Sequence, residues 1–223
     1  MKRLICLLLT LSLASAAVPA LAEYYSAVVF TVNDSLQCTP SELEAAVRRH
    51  LFINALNSAA YGIAYDMRDP LNIIDVASKE LFAAEQAVIV EDHEDAMGID
   101  LSEEEEAQAL AEARTEWEGY RAVVFSETAF PYLPAGDYER IEGDGEGNAA
   151  RYLESFGVTE SVLYREIRAR MLEDKLMEEV TAGIEGGDEK IEAYTDLLMI
   201  WIQESDIRED GIGVAEVCLE LAR

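Results

Sequence analysis

This chain twice stops a helix and starts another within a few residues. In "AMGIDLSEEE", residues 96–105, Gly98 closes one helical run and Ser102 opens the next, with Glu105 at the third helical position. In "SFGVTES", residues 155–161, Gly157 and Thr159 do the same. Glycine supplies the left-handed residue that ends a helix, and Ser or Thr accepts from the free N–H groups that begin one. Two further starts are written with proline: Thr39-Pro40-Ser41-Glu42, a capping box with Pro in the first turn, and Asp69-Pro70. A chain punctuated this way is mainly α. The same logic settles the run Glu103 to Glu106. Successive helical residues point about 100° apart, so four of them do not converge on one ion, and a first turn favours acids through the helix dipole.

The apolar pattern fills in the elements. Leu43, Val47, Leu51 and Phe52 recur at helical spacing, predicting a helix to about Ala60. From Leu71 to about Met97, Ile74, Leu81 and Val88 fall on one seam with Ala77, Ala84 and Ala87. Ile73, Val76, Phe82 and Val90 widen it, so this helix is expected to be central and buried on more than one side. Leu163, Ile167, Leu172, Leu176 and Val180 predict a helix after Thr159. Asp188 is expected to cap another, carrying Ile191, Tyr194, Leu197, Leu198 and Trp201. Residues 27–32 are β-branched and aromatic and read as a strand, followed by a turn at Asn33-Asp34-Ser35. "IGVAEVCLEL", residues 212–221, alternates in part and reads as a last strand. Pairing the two would give a small β element from the N- and C-terminal strands and bring Cys38 and Cys218 into one neighbourhood. Residues 121–150, rich in Pro and Gly yet carrying Phe125, Phe130, Tyr132 and Leu133, read as an irregular segment.

Residues 1–22 have a basic start at Lys2 and Arg3, a short apolar run and the cleavage pattern Ala20-Leu21-Ala22. They read as a secretory signal peptide, which makes the protein exported and extracytoplasmic, secreted or held in the envelope. Residues 23–223 then form a single domain, with no stable membrane span after cleavage. The formal charge of −28 repels phosphate backbones and argues against nucleic acid. An exported chain can keep a disulfide. The sequence leaves a Cys38–Cys218 bond and two free thiols equally open.

Chemistry is sparse. His50 and His93 are the two histidines. "HEDAM" begins like a zinc-protease motif but places Met97 where the second histidine belongs. "GDGEGN", residues 143–148, fits no calcium-loop register with both the required glycine and a bidentate glutamate, and reads as an acidic turn. Neither a nucleophile elbow nor a phosphate loop is present. No catalytic residue, metal site or cofactor is expected, and the chain is read as a non-enzyme.

The order of segments nonetheless resembles a known family. Leader, strand "VVFTVND", helix start "TPSEL", "AMGIDLSEEEEAQAL" and "LESFGVTESVLYREIRARMLEDKLMEEV" follow one another as in the N-terminal chaperone domain of the SurA and PrsA foldases, which is similar to the peptide-binding arms of trigger factor. The family's Val-Asn-Gly strand end is Val32-Asn33-Asp34 here. Those foldases usually carry a prolyl-isomerase domain of about 90 residues, within ordinary domain size. The stretch after Val180 is too short for one and holds no histidine. The resemblance implies a multi-helix holdase that binds unfolded or extended polypeptide clients, without isomerase activity, and whose C-terminal part packs back on the N-terminal part. Expected client contacts are Trp117, Tyr120, Phe125, Phe130 and Tyr132, aromatics at a helix end and loop. The alternative is a secreted adaptor or structural protein that grips one dedicated envelope partner.

Overall fold

The computed structural model describes residues 28–135 and 145–223. The signal peptide expected at residues 1–22 and the Gly143-Asp144 part of the acidic turn lie outside the described residues. Strands β1 (Phe30–Val32) and β2 (Ser35–Cys38) precede helices α1 (Pro40–Ala60), α2 (Pro70–Met97) and α3 (Glu103–Phe125). A one-turn 3-10 helix, Phe130–Tyr132, follows. Then come α4 (Gly145–Ser155), α5 (Glu160–Val180), α6 (Gly187–Glu204), strand β3 (Ile207–Glu209) and α7 (Gly211–Leu221). The protein is mainly α, with one small antiparallel sheet in the order β2-β1-β3.

Local chemistry explains the boundaries. Thr39 and Ser102 each form a full capping box, with Glu42 and Glu105. Asp69 accepts from Leu71 N–H, and Thr159 accepts from Val162 N–H. Gly98 ends α2 in the left-handed region at φ 67°. Asn33 and Asp34 both take positive φ, at 51° and 62°. Two such residues make the tight hairpin turn whose twist matches paired strands. Asp34 therefore fills a position that glycine would occupy without strain, and its carboxylate lies 2.7 Å from Arg208 of β3.

Helix α1 divides the interior. Leu43, Val47 and Leu51 face a first core with Val29, Phe30 and Val32 of β1, Ile73, Val76 and Leu81 of α2, and Val214, Val217 and Cys218 of α7. Phe52 and Leu56 face a second, with Ala109, Ala113 and Val124 of α3, Tyr152 and Leu153 of α4, and Leu163 and Ile167 of α5. Phe52 stacks on Phe156 at 3.9 Å between ring centroids and meets Tyr152 edge-on at 5.4 Å. Val90, Leu176, Tyr194 and Leu198 join α2, α5 and α6 in a third, smaller cluster.

The run of glutamates behaves as a helix start and as a clamp. Glu105 receives Lys175 at 2.8 Å, and Glu106 receives Arg168 at 2.8 Å and the Tyr164 hydroxyl. These contacts fix α3 along α5. Among the described residues no three His, Cys, Asp or Glu side chains are grouped to hold a metal ion.

Four expectations change. The C-terminal strand that pairs with β1 is Ile207–Glu209, with Thr31 opposite Arg208. Residues 212–221 are instead helical within α7, because Val214, Val217 and Cys218 recur at steps of three and four and are buried together. Gly186, at φ 102°, holds the N-cap position of α6, so Asp188 lies in the first turn as a dipole partner. In α2, Phe82 is exposed and Ala87 lies on the outer face, so the helix is buried along a narrower stripe than its apolar content implies. The irregular segment is also shorter than its composition suggests, since α3 runs to Phe125 and Gly145–Asn148 already belong to α4.

Two outcomes are expected. Phe52→Ala empties a site in contact with two aromatic rings and destabilises the fold by about 3–5 kcal/mol in urea titration. The second concerns acid. Hydrogen bonds from Lys175 and Ser102 hold the Glu105 carboxyl at about 2, below its ordinary 4.5. Its contribution is therefore present above pH 4.5 and lost as pH falls toward 2. Glu105→Gln makes the acid limb of a stability–pH curve shallower across that window; an unchanged limb contradicts the linkage.

Candidate functional site

The outer end of the second core carries most of the aromatic residues that face solvent. Helix α1 ends at Ala60, and the chain turns at Gly62, φ 70°, beside the Tyr132 ring. A side-chain carbon built on Gly62 would stand 3.6 Å from Tyr132 Cε2. Two loops thus meet at this point. One is residues 61–69, joining α1 to α2. The other is residues 126–135, leaving α3.

The end of α3 and the loop after it combine buried anchors with exposed tips. Val124 and Ala129 are fully buried, and Leu133 packs on the second core. The Tyr152 hydroxyl donates to the Pro134 carbonyl at 2.7 Å. Between these anchors Phe125, Phe130 and Tyr132 remain 36–39% exposed. On the facing loop Tyr61 is 84% exposed and Ile63 is 59% exposed. An exposed aromatic cluster held on buried anchors differs from isolated surface residues, which need no explanation.

Farther along, the two loops line one cavity of about 630 Å³. Tyr65 and Met67 come from the first loop and Pro134 from the second, with Leu51 and Phe156 on its other walls. Arg48, Arg68 and Arg223 are also on its lining, and Arg48 pairs with Glu44 at 2.6 Å. The volume lies within the range of small-ligand or side-chain pockets, about 300–1,000 Å³. The two loop regions that carry the exposed tips thus also line this cavity.

The five sequence-predicted contact residues separate into two groups. Phe125, Phe130 and Tyr132 are exposed at the end of α3 and in the 3-10 turn that follows. Trp117 and Tyr120 are half-buried against the second core. The Arg121 guanidinium lies 4.8 Å from the centre of the Trp117 ring, and the Tyr120 hydroxyl donates to Glu116 at 2.8 Å. Burial, with Glu116 beside it, pushes the Tyr120 hydroxyl up. Sequence alone does not single out Tyr61 and Ile63. Their only signal is apolar character around a glycine just past a helix end, which is also how a helix C-terminus is commonly sealed.

The histidines have structural partners. His50 Nδ1 lies 2.5 Å from Glu80, linking α1 to α2. His93 stacks on Trp201 at 3.7 Å and its Nδ1 lies 2.8 Å from the Ile89 carbonyl. Cys38 and Cys218 are both free and buried, and both belong to the first core. Burial pushes each thiol up to about 11.

No protein-family profile, curated protein or solved structure matches this chain. No helix among the described residues is long and apolar enough to cross a membrane.

A thiol that is buried and protonated reacts slowly. Ellman's reagent at pH 8 is therefore expected to label Cys38 and Cys218 slowly in the folded protein and rapidly in denaturant. Fast labelling of the native protein would show that the first core opens readily.

Proposed function

We propose that this protein is an extracytoplasmic peptide-binding chaperone of the SurA/PrsA N-terminal type, a holdase without prolyl-isomerase activity. The observation that carries the reading is the set of exposed apolar side chains Tyr61, Ile63, Phe125, Phe130 and Tyr132 at the two loop regions that also line the cavity at Tyr65 and Pro134. Its tips are aromatic, and its supports are buried. Rigid aromatic side chains give large contact area for little conformational entropy, and they make few demands on sequence. An extended apolar segment lies along the tips and places one side chain in the cavity. The order of helix signals along the chain supports the same reading, and so does the leader expected at residues 1–22.

Such a site binds by burying apolar surface. Each aromatic side chain contributes up to about 1.5–3 kcal/mol when fully covered. At half exposure, several must act together before an unfolded client is held. The high negative charge keeps the complex soluble and biases encounter toward basic clients.

Phe125→Ser combined with Phe130→Ser removes two tips and leaves the buried anchors Val124 and Ala129 in place. The double variant should keep the wild-type circular dichroism spectrum. It should lose at least half of the suppression of light scattering when two unrelated proteins are diluted from denaturant without ATP. Equal suppression by variant and wild type rules out these side chains as the client site. If wild type protects neither protein, the holdase reading fails and a single dedicated envelope partner becomes the better assignment.

A further inference from the structure

The cavity at Tyr65 and Pro134 reverses the charge balance of the rest of the molecule. Acidic residues outnumber basic ones 45 to 17 in the chain. On the lining of this cavity three arginines, Arg48, Arg68 and Arg223, stand with two acids, Asp66 and Glu220. They come from α1, from the loop before α2 and from the chain just past α7, so the fold alone gathers them.

Both acids are engaged locally. Asp66 Oδ1 accepts from the Arg68 backbone N–H at 2.8 Å, and Glu220 accepts from the Arg223 guanidinium at 2.8 Å. Arg48 donates to Glu44, one turn back on α1, at 2.6 Å. Exposed pairs between neighbouring turns are weak, so a better acceptor displaces the glutamate. The Arg68 guanidinium makes no hydrogen bond or ion pair with any described residue. Its backbone is nevertheless fixed: besides the Asp66 contact, Asn72 donates to the Asp66 carbonyl at 2.9 Å, and Asp69 caps α2 one residue later. The apolar part of the wall is anchored too. Leu51 is buried in the first core, Phe156 stacks on the Phe52 ring, and Met67 packs against both cores.

A formed cavity with apolar walls and a few converging polar groups is the shape of a ligand site. The guanidinium fork matches the two oxygens of a carboxylate. Three arginines against two acids leave one positive charge on the lining, which suits a single anionic charge better than a phosphate dianion.

We infer that this cavity binds an apolar ligand that ends in a carboxylate, with Arg68 pairing with that carboxylate. The apolar body lies against Leu51, Met67 and Phe156. Two sources offer this chemistry, the C-terminal residue of a polypeptide and a free fatty acid. For the first source the inference rests on the client-binding reading and narrows it: the exposed aromatic tips hold the chain, and the cavity takes its end.

The test uses the full chain and one labelled hexapeptide ending in Leu, prepared with a free C-terminal carboxylate and as the C-terminal amide, followed by fluorescence anisotropy. Wild type should bind the acid form at least tenfold more tightly than the amide. Arg68→Gln changes an exposed loop residue and should keep the wild-type circular dichroism spectrum. It should lose most of the preference for the acid form and leave the affinity for the amide unchanged. Octanoate, titrated by calorimetry into both proteins, separates the sources. Octanoate binding that Arg68→Gln weakens, without any acid preference in the peptides, assigns the site to a free fatty acid. A peptide preference without octanoate binding assigns it to a polypeptide end. The inference is overturned if wild type shows neither, or if Arg68→Gln binds every probe as wild type does. Displacement of the bound probe by inorganic phosphate at equal concentration overturns the carboxylate assignment. In each of these cases the holdase reading stands or falls separately, on the Phe125→Ser, Phe130→Ser comparison.

Discussion

Helix α1 is the element on which the rest depends. Its neighbouring residues Leu51 and Phe52 are both essentially inaccessible, yet they belong to different cores. One side of the helix closes the β1, α2 and α7 cluster. The other receives α3, α4 and α5 through the Phe52, Tyr152 and Phe156 rings. A helix buried on two sides acts as a shared wall, so loss of either packing face is felt in both halves.

The shared wall also places the candidate sites. Because α1 is held on both sides, the turn after it is fixed, and Gly62 comes beside Tyr132. That approach brings two otherwise unrelated loops together. Clamping α3 to α5 through Glu105, Glu106, Lys175 and Arg168 engages the acids of the first turn and the cations that face them.

Much of the architecture is legible in the sequence because it is local. Capping boxes at Thr39 and Ser102, the caps at Asp69 and Thr159, and the left-handed Gly98 depend on atoms within one turn of each other. The mainly helical fold follows from them. The errors fall where local signals are ambiguous. Residues 212–221 fit a strand in part and a helix in full, and the first core selects the helix. Strand β3 is charged and three residues long, so only its pairing with β1 identifies it.

What the sequence determined by itself is the set of helices and their ends, the acidity, and the presence of aromatic residues between α3 and α4. Short-range hydrogen bonds and apolar periodicity are sufficient for these. Tertiary structure alone decided which aromatics face solvent and that the turn at Gly62 comes beside Tyr132. Exposure and partnership depend on residues distant in the chain, and no spacing rule along α2 or α3 carries that information.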